Sequence, residues 1–189
     1  MTISLFQIKN FPNETTAAFF SIIFIIILII ELRVLLRYKK DKEDKNSLLF
    51  ILFGICIPLI STILLTFTNL GKLPLIVSHF GIIVILAGFI LRQYSISILG
   101  KFFTPIVTKH HNQKIIQCGP YRYIRHPSYT GLFLELLGMS LAFSNWLSVF
   151  IVLLFFVPAI YYRIKIEEKF LSRKFKEYGK YKDRTKKLI

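Results

Sequence analysis

The run from Gly119 to Gly131, GPYRYIRHPSYTG, sets two arginines, a histidine, two prolines and three tyrosines between long apolar stretches. A residue that precedes proline is pushed out of the helical region, so His126 is expected on an extended turn, with Pro127 in the first turn of a helix. Such a helix start leaves backbone N–H groups to meet an anion or a carbonyl. Further along, YYRIKIEEKFL places Arg163 and Glu167 four residues apart. On a helix they project from one face, with Glu168 rotated away. An arginine and a glutamate at the mouth of a helix bundle can clamp a ligand with one anionic and one cationic end. The plain alternatives are an exposed ion pair worth a few tenths of a kcal/mol and tyrosines forming an aromatic belt at a membrane surface. The belt accounts for Tyr121, Tyr123 and Tyr129 but not for His126 or the paired Gly-Pro and His-Pro breaks.

Other chemistries find no support. His110 and His111 are adjacent and point apart in extended chain, Cys118 has no neighbouring ligand, and no His/Asp/Glu triad stands at helical spacing, so no metal is expected. Cys56 and Cys118 do not make a disulfide framework. Ser-His-Asp, phosphate-loop and paired-glycine dinucleotide signatures are missing.

The surroundings decide where these residues sit. The chain of 189 residues is 54% hydrophobic, with a mean hydropathy of +0.58, more than a soluble domain of that length needs to fill a core. That composition belongs to a multi-pass membrane protein. Its net charge of +15 does not indicate nucleic acid, because the basic residues flank apolar spans and do not form an aromatic-studded soluble face.

The hydropathy pattern predicts an all-α integral membrane protein with spans at about 16–36, 48–67, 75–91, 129–143 and 146–162. The first is an uncleaved span, with Glu31 and Arg33 near its end. Pro58 lies inside the second, and TNLGKLP makes the turn to the third. The apolar stretch from Thr130 to Tyr162 is broken only at AFSNWLS. Basic segments on both sides of it require an even number of crossings, hence a helical hairpin of spans four and five. With the N-terminus outside, the inner segments Arg37–Lys45, Lys101–Arg125 and Arg163–Lys187 carry 5, 5 and 11 Lys/Arg, against only Lys9 and Lys72 outside. The C-terminus is then inside, where the basic tail can rest on anionic lipid. Asn13-Glu14-Thr15 matches a glycosylation acceptor on the outer side. Residues 92–128 read as a long, non-repetitive loop, the kind of connection that tends to carry function. In this topology the loop, LRQYSISILGKFF and YYRIKIEEKFL share the inner face.

Those three blocks resemble the isoprenylcysteine carboxyl methyltransferase family of integral membrane methyltransferases, which groups with the phospholipid N-methyltransferases. LRQYSISILGKFF, GPYRYIRHPSYTG and EEKFLSRKFKEYGKYKDRTKKLI occur in the family's order, covering about 92–189, within a single membrane domain 1–189. The resemblance implies S-adenosyl-L-methionine as cofactor, in a cytoplasmic pocket between the 92–128 loop and the C-terminal helix. Carried over by position, Gln113, Lys114, Ile115 and Ile116 form a strand lining the cofactor, followed by Tyr121. His126, Pro127, Ser128 and Tyr129 form its second wall. Glu167 binds the cofactor and Arg163 orients the substrate carboxylate; these two are the implied catalytic residues. Where the family often has His-x-aliphatic-Val, this chain has QKII.

The implied reaction methylates the carboxylate of a lipidic acceptor such as a C-terminal S-isoprenylcysteine. It needs no general base, because the carboxylate is already ionised near neutral pH. The short five-span build is similar to prokaryotic members, so another lipid-like acid or amine remains open as acceptor. The alternatives are a phospholipid or other amine N-methyltransferase, which needs a base, and a non-enzymatic membrane partner protein, which predicts more polar residues at mid-membrane depth. Expected partners are the lipid-like or prenylated substrate and membrane lipids. The expected site is the inner membrane of a prokaryote or the endoplasmic reticulum of a eukaryote.

Overall fold

The computed structural model describes residues 30, 33, 45–68, 70–74, 76–103 and 115–188. The first expected span lies outside these except for Ile30 and Arg33, both helical. Among the described residues the protein is helical, with two isolated β-bridges and no strand.

Helix α1 is Lys45–Thr66 and α2 is Ile76–Leu99. Helix α3, Pro127–Ala142, forms a hairpin with the continuous helix α4, Trp146–Lys174. Helix α5, Tyr178–Arg184, follows. Three of them, Leu49–Thr66 within α1, α2 and α4, are long and apolar enough to cross a membrane. Leu49, Phe53, Ile60 and Leu64 on α1, and Ile76, Ile83 and Ile90 on α2, stand exposed where soluble helices would carry charge.

Two boundaries differ from expectation. The third span continues beyond residue 91 to Leu99, so the first part of the expected loop is helix. The last span continues beyond residue 162 to Lys174, through a π turn at Val152–Phe156. Both extensions carry arginines that find buried partners across the fold, and hydropathy cannot register those. The π turn stands ahead of Pro158, which lacks the N–H that regular helix would use there. The break at Ser144-Asn145 is where the hairpin turns, and Asn145 Oδ1 caps α4 by accepting from the Ser148 N–H at 3.2 Å.

The helices pack through small residues. Glycines seven apart on α2 (Gly81, Gly88) oppose glycines seven apart on the antiparallel α3 (Gly138, Gly131). A Cβ on Gly88 would fall 2.7 Å from the Gly131 carbonyl oxygen, and one on Gly138 would fall 2.6 Å from the Ile85 nitrogen. Backbones this close gain dispersion contacts that apolar lipid cannot replace. Gly88→Ala is therefore expected to lower stability by about 1–3 kcal/mol, seen as a fall in thermal midpoint in detergent; an unchanged midpoint would contradict this packing.

At one end of the bundle the two turns are latched together. Asn145 Nδ2 donates to the Leu70 carbonyl at 2.8 Å, Leu73 N to the Ser144 carbonyl at 2.7 Å, and Trp146 N to the Gly71 carbonyl at 2.9 Å. The core between α1, α3 and α4 is Ile51, Leu132, Leu136, Val152, Phe156, Ile160 and Ile164. The opposite end collects the start of α1, the end of α2, the start of α3 and the end of α4, which brings the polar blocks together.

Candidate active site

The segment before α3 makes a 3-10 turn at Gly119–Arg122, entered through Gly119 at φ +57°. His126 caps α3 with non-helical backbone (φ −126°, ψ 56°) and Pro127 takes the first helical position, as its fixed φ favours. Gly131, one turn into α3, lets α2 approach: a Cβ there would lie 2.7 Å from Arg92 Cβ. The buried Arg92 can then donate through Nη1 to both the backbone oxygen and Oγ of Ser128, each at 3.1 Å.

From this helix start Tyr129 reaches α4. Its hydroxyl donates to Glu167 Oε2 at 2.8 Å and accepts from Arg163 Nε at 3.3 Å. Arg163 is almost wholly buried, and its Nη1 donates to Ser47 Oγ in the first turn of α1 at 2.7 Å. Arg163 and Glu167 thus share a face, as their spacing predicts, with the Tyr129 phenol bridging them. The His126 ring stacks on Tyr129 with centroids 5.7 Å apart and planes at 20°.

Glu168 points elsewhere. Its Oε1 accepts from Arg125 Nε at 2.8 Å and lies 3.4 Å from His126 Nε2. Arg125 Nη1 also donates to the Lys182 carbonyl at 2.8 Å and to that of Thr185. The segment after α5 runs beside the turn: Arg125 N donates to the Lys186 carbonyl at 2.8 Å, Lys186 N to the Tyr123 carbonyl at 3.0 Å, and Leu188 packs on the core. Tyr181 donates its hydroxyl to the Tyr121 carbonyl at 2.7 Å. Burial pushes the Tyr181 phenol up to about 12 against an opposing pull from Arg125. Burial, then the nearby Glu167, raises that of Tyr121, and burial, then Glu168, raises that of Tyr178. All three remain protonated hydrogen-bond donors near neutral pH.

Of the residues expected at the site, His126, Pro127, Ser128, Tyr129, Arg163 and Glu167 are gathered here, and Tyr121 lies buried in the turn beside them. Ile115 and Ile116 are half-buried without regular secondary structure, so the expected strand is not seen at these two positions; Gln113 and Lys114 lie outside the described residues, as do His110 and His111. Among the described residues no cluster of His, Cys, Asp or Glu suits a metal ion. Sequence reasoning missed Arg92, Ser47, Arg125 and Tyr181, which act through partners distant in the chain. A cation at the end of an apolar run, as at Arg92, is the signal that could have found one of them.

Residues 81–173 match the isoprenylcysteine carboxyl methyltransferase (ICMT) family. Protein-S-isoprenylcysteine O-methyltransferase A of Arabidopsis thaliana is 35% identical over 107 residues, 52% of this chain and 51% of the relative. The protein-S-isoprenylcysteine O-methyltransferase of Saccharomyces cerevisiae is 32% identical over 108 residues, covering 56% and 45%. A probable protein-S-isoprenylcysteine O-methyltransferase of Oryza sativa subsp. japonica is 32% identical over 108 residues, covering 56% of each. The chain thus spans about half the length of the curated relatives it matches. In fold it resembles a solved structure of the eukaryotic intramembrane Ras methyltransferase ICMT, with a TM-score of 0.55 and 23% identity over 79% of this chain and 53% of that one. The matched stretch holds the glycine-packed helix pair, the His126 turn, Arg163 and Glu167, and over it the chain is similar to the isoprenylcysteine carboxyl methyltransferase family.

Proposed function

We propose that this protein is a membrane-embedded methyltransferase that uses S-adenosyl-L-methionine and methylates the carboxylate of a lipidic acceptor, typified by a C-terminal S-isoprenylcysteine. The observation that carries this reading is the Tyr129 hydroxyl joining Arg163 to Glu167 at a helix start, which sets a cation and an anion side by side at one end of an apolar bundle. A further atom fits a ligand with polar ends: Tyr178 Oη is buried and makes no hydrogen bond among the described residues, although buried polar groups ordinarily do.

In this reading Gln113, Lys114, Ile115, Ile116, Tyr121, His126, Pro127, Ser128, Tyr129 and Glu167 hold the cofactor. S-Adenosylmethionine bound there supplies an electrophilic methyl group. Glu167 attracts the cationic part of the ligand, while the aromatic rings of Tyr129 and Tyr121 suit its sulfonium and base. The Arg163 guanidinium holds the acceptor carboxylate and fixes its approach. No residue has to remove a proton, and the apolar helices keep water out while leaving a lipid tail its natural surroundings. The membrane architecture is five spans within one domain, 1–189, with the N-terminus outside and the site on the cytoplasmic side; the catalytic part is about 92–189. The residence is the inner membrane of a prokaryote or the endoplasmic reticulum of a eukaryote.

The test uses purified protein in detergent. Calorimetry is expected to detect binding of S-adenosylhomocysteine, and no binding would refute the reading. Incubation with methyl-labelled cofactor and a total lipid extract is then expected to label a lipid as an ester, which mild base releases. Label that resists base would identify an amine acceptor and refute carboxylate methylation.

A further inference from the structure

Glu168 is buried at one position past Glu167, about 100° around the helix, so its carboxylate leaves the Tyr129–Arg163 face. It meets three other parts of the molecule instead. Arg125 and His126 approach Oε1 from the turn before α3 at 2.8 and 3.4 Å. Lys182 Nζ of α5 and Lys187 Nζ of the following segment approach Oε2 at 3.9 and 4.0 Å. Arg125 extends the same junction to the carbonyls of Lys182, Thr185 and Lys186. One carboxylate therefore ties α4, the turn, α5 and the segment Thr185–Leu188 together. The family match ends at Arg173, so α5 and that segment lie beyond it.

A buried ion pair is a poor source of net stability, because desolvation offsets its attraction, but it holds a defined geometry. Here that geometry concerns His126, adjacent to Arg125. Its ring is bounded at one edge by Glu168 and on one face by Tyr129, whose hydroxyl holds both Glu167 and Arg163. A change at Glu168 thus reaches the cofactor site through the His126 ring, and through that ring Tyr129.

We propose that Glu168 is a positioning residue: by binding Arg125 and the segment beyond α5 it fixes the His126 ring against Tyr129, and it touches neither reactant. The role rests on the methyltransferase reading above and deepens it. The substitution Glu168→Gln keeps the size and an acceptor for Arg125 but removes the charge that gathers Arg125, Lys182 and Lys187.

Affinity for S-adenosylhomocysteine should be measured by calorimetry on the full chain in detergent, for wild type, Glu168→Gln, His126→Ala and the double variant. Glu168→Gln is expected to weaken binding roughly tenfold, with KM for the acceptor unchanged. The double variant should bind no more weakly than His126→Ala alone, the signature of two residues acting in series. Losses that add, a Glu168→Gln variant that binds as wild type does, or a His126→Ala variant without effect would each overturn the proposal. If Glu168→Gln does not fold, Arg125→Lys takes its place, since it keeps the charge, loses the fork and is expected to show the same dependence on His126. Wild type that binds nothing removes the methyltransferase reading itself. Wild type that binds, with additive losses, leaves that reading standing and removes only the role of Glu168.

Discussion

Glu167→Ala is expected to weaken binding of S-adenosylhomocysteine by roughly tenfold to a hundredfold, the effect of deleting a charge-assisted hydrogen bond worth about 1.5–3 kcal/mol. The carboxylate is half-buried and has one oxygen held by Tyr129 at 2.8 Å, so it is oriented before any ligand arrives. In the proposed role its removal deletes the anion that would face the cationic end of the cofactor, and it also frees the Tyr129 hydroxyl. Glu167→Gln should fall between wild type and alanine, because it keeps the acceptor for Tyr129 and loses the charge. Calorimetry gives both constants. Equal affinity in wild type and Glu167→Ala would remove Glu167 from the cofactor site.

Arg163→Ala should give the opposite division: cofactor affinity within about threefold of wild type and turnover lower by about a hundredfold, the usual consequence of a misplaced reactant. The guanidinium is held by Tyr129 through Nε and by Ser47 through Nη1, so its plane is fixed by two helices other than its own. Arg163→Lys keeps a positive charge and loses the planar fork, and should recover only a small part of the turnover. Because the Ser47 contact joins α1 to α4, the alanine variant should also lose about 1–3 kcal/mol of stability. Steady-state rates and a thermal midpoint, measured on one preparation, separate the two effects. Loss of cofactor binding with retained turnover per bound complex would reverse the assignment.

Much of the fold was legible because its signals are local. Apolar runs long enough to span gave α1, α2 and α4, the SN pair gave the hairpin turn, and the His-Pro step gave the start of α3. The helical extension Arg92–Leu99 was not legible, nor was the continuity of the last span with the helix read from the spacing of Arg163 and Glu167, because the polar residues there are compensated by groups distant in sequence. Arg92 is stabilised by Ser128, and Arg163 by Ser47 and Tyr129.

The candidate site divides in the same way. Spacing alone put Arg163 and Glu167 on one face and turned Glu168 from it, because 3.6 residues per turn fixes side-chain directions within one helix. Spacing says nothing about what another helix brings to that face. Only the tertiary structure placed the Tyr129 hydroxyl between the pair, set Ser47 behind Arg163 and gave Glu168 its partners in the turn and beyond α5. The sequence by itself determined the membrane class, the helix segments and the residues with suitable chemistry, since each follows from local hydropathy and backbone preference. Which side chains meet depended on how closely the helices approach. That was decided by Gly88, Gly131 and Gly138, where even a Cβ would not fit and whose meaning emerges only when α2 and α3 lie side by side.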